Sequence, residues 1–137
     1  MVPYAPTVGS LMCAMVATRP DITHVVGVVR RFMHNPSQLH WNGGKHIFKY
    51  LMGTQDYGIL FGENKGLVGY TDSNFADYLG NQKSTFGYFF RFEDGAISWR
   101  SKLQECTTTS TIEVEYVVAS DAAKDALWLG RLAYTFW

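Results

Sequence analysis

The run Thr85 to Phe92 constrains the fold most, because it sets Phe86, Tyr88, Phe90 and Phe92 on one face of a single strand. A period of two is the mark of a half-buried strand. Glu93-Asp94-Gly95 turns that strand into another, Ala96 to Ser101. Upstream, Leu67 to Thr71 reads as a short strand that runs into Asp72-Ser73-Asn74. Downstream, a Thr-rich link opens a long helix near Ser110, with Glu115 in its first turns. A helix packed across such a sheet can bring an acid at a strand's end toward an acid at a helix's start. Converging carboxylates without a basic neighbour in sequence suit a divalent metal, so Asp72 and Glu115 are the candidate ligands.

The helix has two unlike faces. At about 100° per residue, Glu115 shares a side with Val118, Ala119, Ala122, Ala126, Leu129 and Ala133. Glu113, Ser120, Lys124 and Arg131 occupy the other side and point to water. A carboxylate on a packed face needs a cation or hydrogen-bond donors to offset its desolvation. The alternative is that Glu115 simply complements the positive end of the helix dipole. Asp72 has its own plain reading as a turn former among Asp, Ser and Asn.

The first half of the chain reads as helical. Residues 1 to 6, with Pro3 and Pro6, form an extended lead, and Val8 to Thr18 a buried helix. Arg19-Pro20-Asp21 stops it, and Pro20 suits the first turn of a second helix carrying Ile22, Val25, Val26, Val28, Val29 and Phe32, where the β-branched valines leave a strand as the alternative. Ser37 is a candidate N-cap for a third helix that ends near Met52 and contains Gly43-Gly44, a local defect. Tyr57 to Phe61 reads as a strand and residues 62–66 as a hairpin loop. Trp41 and Trp128 are expected in the core. Lys and Arg number 12 and Asp and Glu number 12, so no global charge draws the chain to nucleic acid. Lys83, Arg100 and Lys102 flank the strands, where they could touch phosphates or merely solvate strand ends. Asp77 and Asp94 are read as loop acids, and the four histidines lack zinc-site spacing. Cys13 and Cys106 are far apart and suit a reducing compartment. The apolar run Leu11 to Ala17 is too short to span a bilayer and lacks the basic lead of a signal peptide, so an intracellular, cytoplasmic or nuclear location is expected.

Several ordered segments carry a resemblance. They are Gly69-Tyr70-Thr71-Asp72, Lys83-Ser84-Thr85-Phe86-Gly87-Tyr88, Ile97-Ser98-Trp99-Arg100-Ser101-Lys102, Glu113-Val114-Glu115-Tyr116 and Ala126-Leu127-Trp128-Leu129. Together the series resembles the ribonuclease H region of copia-type retrotransposon Pol polyproteins. Thr18-Arg19-Pro20-Asp21-Ile22, Asn35-Pro36, His40-Trp41 and Tyr50-Leu51-Met52-Gly53-Thr54 are similar to the connection after that family's reverse-transcriptase core.

The resemblance implies an incomplete α/β ribonuclease H-like fold. Its sheet would be three- to four-stranded and mainly antiparallel, with a long helix packed on it and an N-terminal helical segment before it. Residues 1–56 would be the connection and 57–137 the truncated ribonuclease H-like domain. The family cleaves the RNA strand of an RNA–DNA hybrid with two magnesium ions, and Asp72 and Glu115 correspond to two of its acids. A further aspartate and a fourth acid would lie beyond Trp137, so the isolated chain is expected to be inactive, with Mg²⁺ binding weak or absent. Within the matched part, Ile112 replaces a usual Thr, Asn74 an acid and Phe75 a Trp. A noncatalytic nucleic-acid-binding or protein-interaction remnant is the alternative, and an open sheet edge would favour self-association.

Overall fold

Prolines punctuate the first half of the chain. In the computed structural model, α1 spans Tyr4–Ala17, so the lead is shorter than the sequence suggests. Pro6 falls in the first turn of α1, where a backbone N–H has no helical partner to lose. Pro20 opens a 3-10 turn, Pro20–Ile22, that continues into α2, Thr23–Arg30. Ser37 caps α3, Gln38–Gly53, in a reciprocal box in which its own N–H donates to His40 Nδ1 at 3.0 Å. The structure describes residues 3–63, 66–78, 83–104 and 110–136, without the side chains of 74–78, 83 and 136. Asn64-Lys65 of the expected hairpin loop and Thr107 to Thr109 of the Thr-rich link lie outside the described residues.

The chain divides into two units, residues 1–59 and 60–137. The first is three helices around Val8, Leu11, Ile22 and Val26, all fully buried, with Trp41 partly buried against them. Gly43 and Gly44 leave no clash to explain them. A Cβ at Gly43 would meet Val29 at an ordinary 3.6 Å, and one at Gly44 would meet nothing.

A single arginine fastens the corner between α1 and α2 to the end of α3. Arg19 is held by the backbone break that Pro20 imposes, and its side chain is 9% exposed. Its Nε and Nη2 donate to the two oxygens of Asp21 at 3.0 and 2.7 Å. Nη1 donates to the Thr54 carbonyl at 3.0 Å and Nη2 to Thr54 Oγ1 at 2.6 Å. The rings of Tyr50 and Tyr57 lie 5.5 and 5.9 Å from the guanidinium carbon. Tyr50 also donates to Asp21 at 2.9 Å.

The second unit is the sheet with its covering helix. β1 (Leu67–Tyr78), β2 (Lys83–Phe92) and β3 (Gly95–Leu103) pair antiparallel in the order β1-β2-β3. Glu93 and Asp94 both adopt positive φ, 49° and 60°, as a two-residue hairpin of matching twist requires. Two expectations fail here. Residues 57–62 form no strand, because Phe61 packs over Gly95 and the Gly62 N–H donates to the Glu93 carbonyl instead of a ladder. β1 does not stop at Thr71, since pairing with β2 carries it through Asp72 and Asn74.

α4, Thr111–Phe136, starts where Ser110 Oγ accepts the Glu113 N–H at 3.3 Å. Its Val114, Val118, Ala122 and Leu129 bury the Phe86, Tyr88 and Phe90 face of β2. Gly69 belongs to this contact. A Cβ there would come within 2.5 Å of the Phe90 ring, so only glycine lets β1 lie beside it. Among the described residues no helix is long and apolar enough to cross a membrane.

Replacing Arg19 with Ala should destabilise the helical unit by about 1–3 kcal/mol, the scale for losing charge-assisted hydrogen bonds in a part-buried site. Urea unfolding followed by circular dichroism measures it. The hydrogen bond from Arg19 holds the Asp21 carboxyl below its ordinary value. That contribution is therefore complete above roughly pH 4 and is lost as pH falls through the depressed value. Asp21→Asn should flatten this acid limb.

Candidate functional site

The sheet's pleat decides which side chains can meet. Residues directly paired across antiparallel strands share a face. Leu67, Gly69, Thr71 and Ser73 pair with Phe92, Phe90, Tyr88 and Phe86, so they lie on the side covered by α4. Asp72 pairs with Gly87 and belongs to the other set, with Val68 and Tyr70. Its side chain is therefore on the face turned away from α4. It is exposed, and its Oδ1 accepts the neighbouring Ser73 N–H at 2.8 Å.

Glu115, the fifth residue of α4, is exposed as well. Val114, not Glu115, heads the buried stripe, which is rotated from the expected one so that Ala119 is also exposed. Asp72 and Glu115 are thus not brought to a common face. Among the described residues, no three His, Cys, Asp or Glu side chains gather as a metal site.

The basic candidates separate too. Arg100 pairs with Tyr88 and Lys102 with Phe86, which puts both on the α4 side, while the side chain of Lys83 lies outside the described residues. Arg100 is engaged in a polar cluster that the sequence reading missed. The Tyr88 hydroxyl donates to Asp125 Oδ2, and Arg100 Nη1 donates to the same hydroxyl at 3.4 Å. Burial, then the bond to Asp125, raises the Tyr88 pKa, so the phenol stays protonated as a donor. The signal was present: Asp125 sits three residues after Ala122 and four before Leu129, on the packed side.

The face away from α4 carries a second unforeseen feature. Tyr70, Phe89 and Trp99 are direct partners across β1, β2 and β3, forming an aromatic row through the full width of the sheet. The Tyr70 and Phe89 ring centroids are 6.3 Å apart, and the Arg91 guanidinium carbon lies 5.9 Å from the Tyr70 ring centre. Tyr70 is exposed, while Phe89 and Trp99 are half-buried. Trp128, expected in the core, is 62% exposed, because the rotation of α4 carries it off the sheet.

Known proteins resemble the chain along nearly its whole length. It is 51% identical over 131 residues to the retrovirus-related Pol polyprotein from transposon TNT 1-94 of Nicotiana tabacum, covering 95% of this chain and 10% of that protein. The secreted RxLR effector protein 161 of Plasmopara viticola is 43% identical over 131 residues, covering 93% of this chain and 92% of that protein. The retrovirus-related Pol polyprotein from transposon RE2 of Arabidopsis thaliana is 34% identical over 131 residues, 94% of this chain and 9% of that protein. The chain spans about a tenth of the Pol polyproteins it matches. No family model matches it, and no solved structure does.

The Tyr88 cluster should matter to stability. Tyr88→Phe leaves a partly buried Asp125 carboxylate without its donor and should cost about 1–3 kcal/mol in urea unfolding. Tyr88→Phe combined with Asp125→Ala should cost less than the two separate changes added together, because the coupling is lost only once.

Proposed function

We propose, from the premise that the chain belongs to the family of secreted RxLR effector protein 161 and the matching segment of transposon Pol polyproteins, that it is a ribonuclease H-like remnant of a copia-type element, noncatalytic as an isolated chain. Residues before the sheet derive from the connection that follows a reverse-transcriptase core. The ancestral activity is cleavage of the RNA strand of an RNA–DNA hybrid with two magnesium ions. The succession of three strands and a long helix, with Asp72 on the first strand and Glu115 early in the helix, supports that ancestry.

One observation carries the loss of catalysis: Asp72 lies on the sheet face away from α4, so it and Glu115 do not share a cradle. Magnesium keeps most of its waters and demands near-octahedral placement of several oxygens. Two exposed carboxylates on different sides of a sheet do not fit a two-ion site. The purified chain, given a labelled RNA–DNA hybrid with Mg²⁺ or Mn²⁺, should release no product. Cleavage that disappears in Asp72→Asn would overturn this reading.

A noncatalytic nucleic-acid-binding role is the second reading, favoured by the row Tyr70, Phe89 and Trp99 with Arg91 beside it. Aromatic faces on an open sheet stack unpaired bases, and a neighbouring guanidinium supports both stacking and phosphate contact. Filter binding of single-stranded oligonucleotides should weaken about tenfold or more in Tyr70→Ala or Trp99→Ala. Equal binding by wild type and both variants would remove the row from consideration.

A further inference from the structure

α4 carries a second apolar stripe that the sheet does not use. Ile112, Tyr116, Ala119, Ala123, Leu127 and Tyr134 fall within an arc of about 80° when each residue turns the helix by 100°. This arc is well away from the buried stripe of Val114, Val118, Ala122 and Leu129. Its large members are open to solvent, with Tyr116 79% and Tyr134 92% exposed. Isolated exposed apolar residues need no explanation, but a continuous stripe roughly 33 Å long is a contact surface.

The order of large and small residues identifies the occupant. Reversing the helix about Ala123 sets Ile112 against Tyr134, Tyr116 against Gly130 and Ala119 against Leu127. Each bulky side chain except the end pair then meets a small one, and Ala123 meets itself on the axis. Gly130 has nothing within 4 Å of the position a Cβ would take, which leaves a recess for a tyrosine ring. A pattern that complements its own reverse suits a two-fold, isologous contact and no other partner so directly.

Charges agree with the same register. Glu113 and Arg131 lie on the same flank of the stripe. Under the two-fold operation, that flank of one helix borders the same flank of the other, bringing Arg131 of one copy beside Glu113 of the second. Lys124, near the axis, is bridged within its own helix to Asp121 at 3.1 Å, which moderates the meeting of two like charges. We propose that the chain self-associates as an antiparallel pair of α4 helices, related by a two-fold axis through Ala123. The proposal is independent of any nuclease ancestry, and it differs from association through the β1 edge.

Light scattering on the full chain should show a concentration-dependent dimer. With Cys13 and Cys106 changed to Ser, Ala123→Cys should form a disulfide-linked dimer on mild oxidation. Ile112→Cys alone should not, yet it should cross-link when mixed with Tyr134→Cys. Ala123→Glu faces two carboxylates across the axis and should weaken dimerisation at least about tenfold. Unchanged circular dichroism would confirm that this exposed position leaves the helix intact. A strict monomer, a dimer indifferent to Ala123→Glu, or equal self-cross-linking by Ile112→Cys would each overturn the proposal.

Discussion

The packing of α4 on one face of β2 is the constraint from which the second unit's other properties follow. Phe86, Tyr88 and Phe90 project to the same side because a strand alternates, and Val114, Val118, Ala122 and Leu129 cover them. Burying a large apolar side chain is worth about 1.5–3 kcal/mol, so a one-residue slip of β2 in its strand pairing would turn the whole set out at once. Register is thereby fixed across the sheet. Gly69 accommodates Phe90 in that register, and the Tyr88–Asp125 bond adds a directional tie at the same interface.

Once α4 has claimed one face, the chemistry of the other is set by parity. Val68, Tyr70 and Asp72 on β1 must point away from the helix. The aromatic row and the candidate acid therefore occupy one side, while Arg100, Lys102 and the Tyr88 cluster occupy the other. Membership in a family that includes segments of transposon Pol polyproteins accounts for the ordered motifs. It does not place Asp72 and Glu115 around one ion.

Much of this architecture is legible in the residues themselves. Alternation of aromatics marks β2, Pro20 and Ser37 mark helix starts, and Glu93-Asp94-Gly95 marks the hairpin. The failures have physical causes. Asp-Ser-Asn favours turns locally, but pairing with Thr85 to Gly87 holds the segment in a strand. Tyr57 to Phe61 has strand-like composition, yet it forms no strand, and its last residue, Phe61, instead fills the space above Gly95. The covered face of α4 is rotated from the apolar stripe because it admits Asp125, whose spacing to Ala122 and Leu129 is readable in sequence but whose partner, Tyr88, lies 37 residues away. The same rotation exposes Trp128. Arg19 was legible only as part of a helix stop, while its contacts to Thr54 depend on how three helices meet.

The sheet separates Asp72 from Glu115, and manganese-induced relaxation of assigned amide resonances tests that separation most directly. A shared site would broaden the amides of both residues together at low Mn²⁺, because one paramagnetic ion would sit near both. The structure predicts that no joint broadening occurs and that any effect at one residue is independent of the other. Concerted broadening at both positions, abolished by Asp72→Asn, would contradict it.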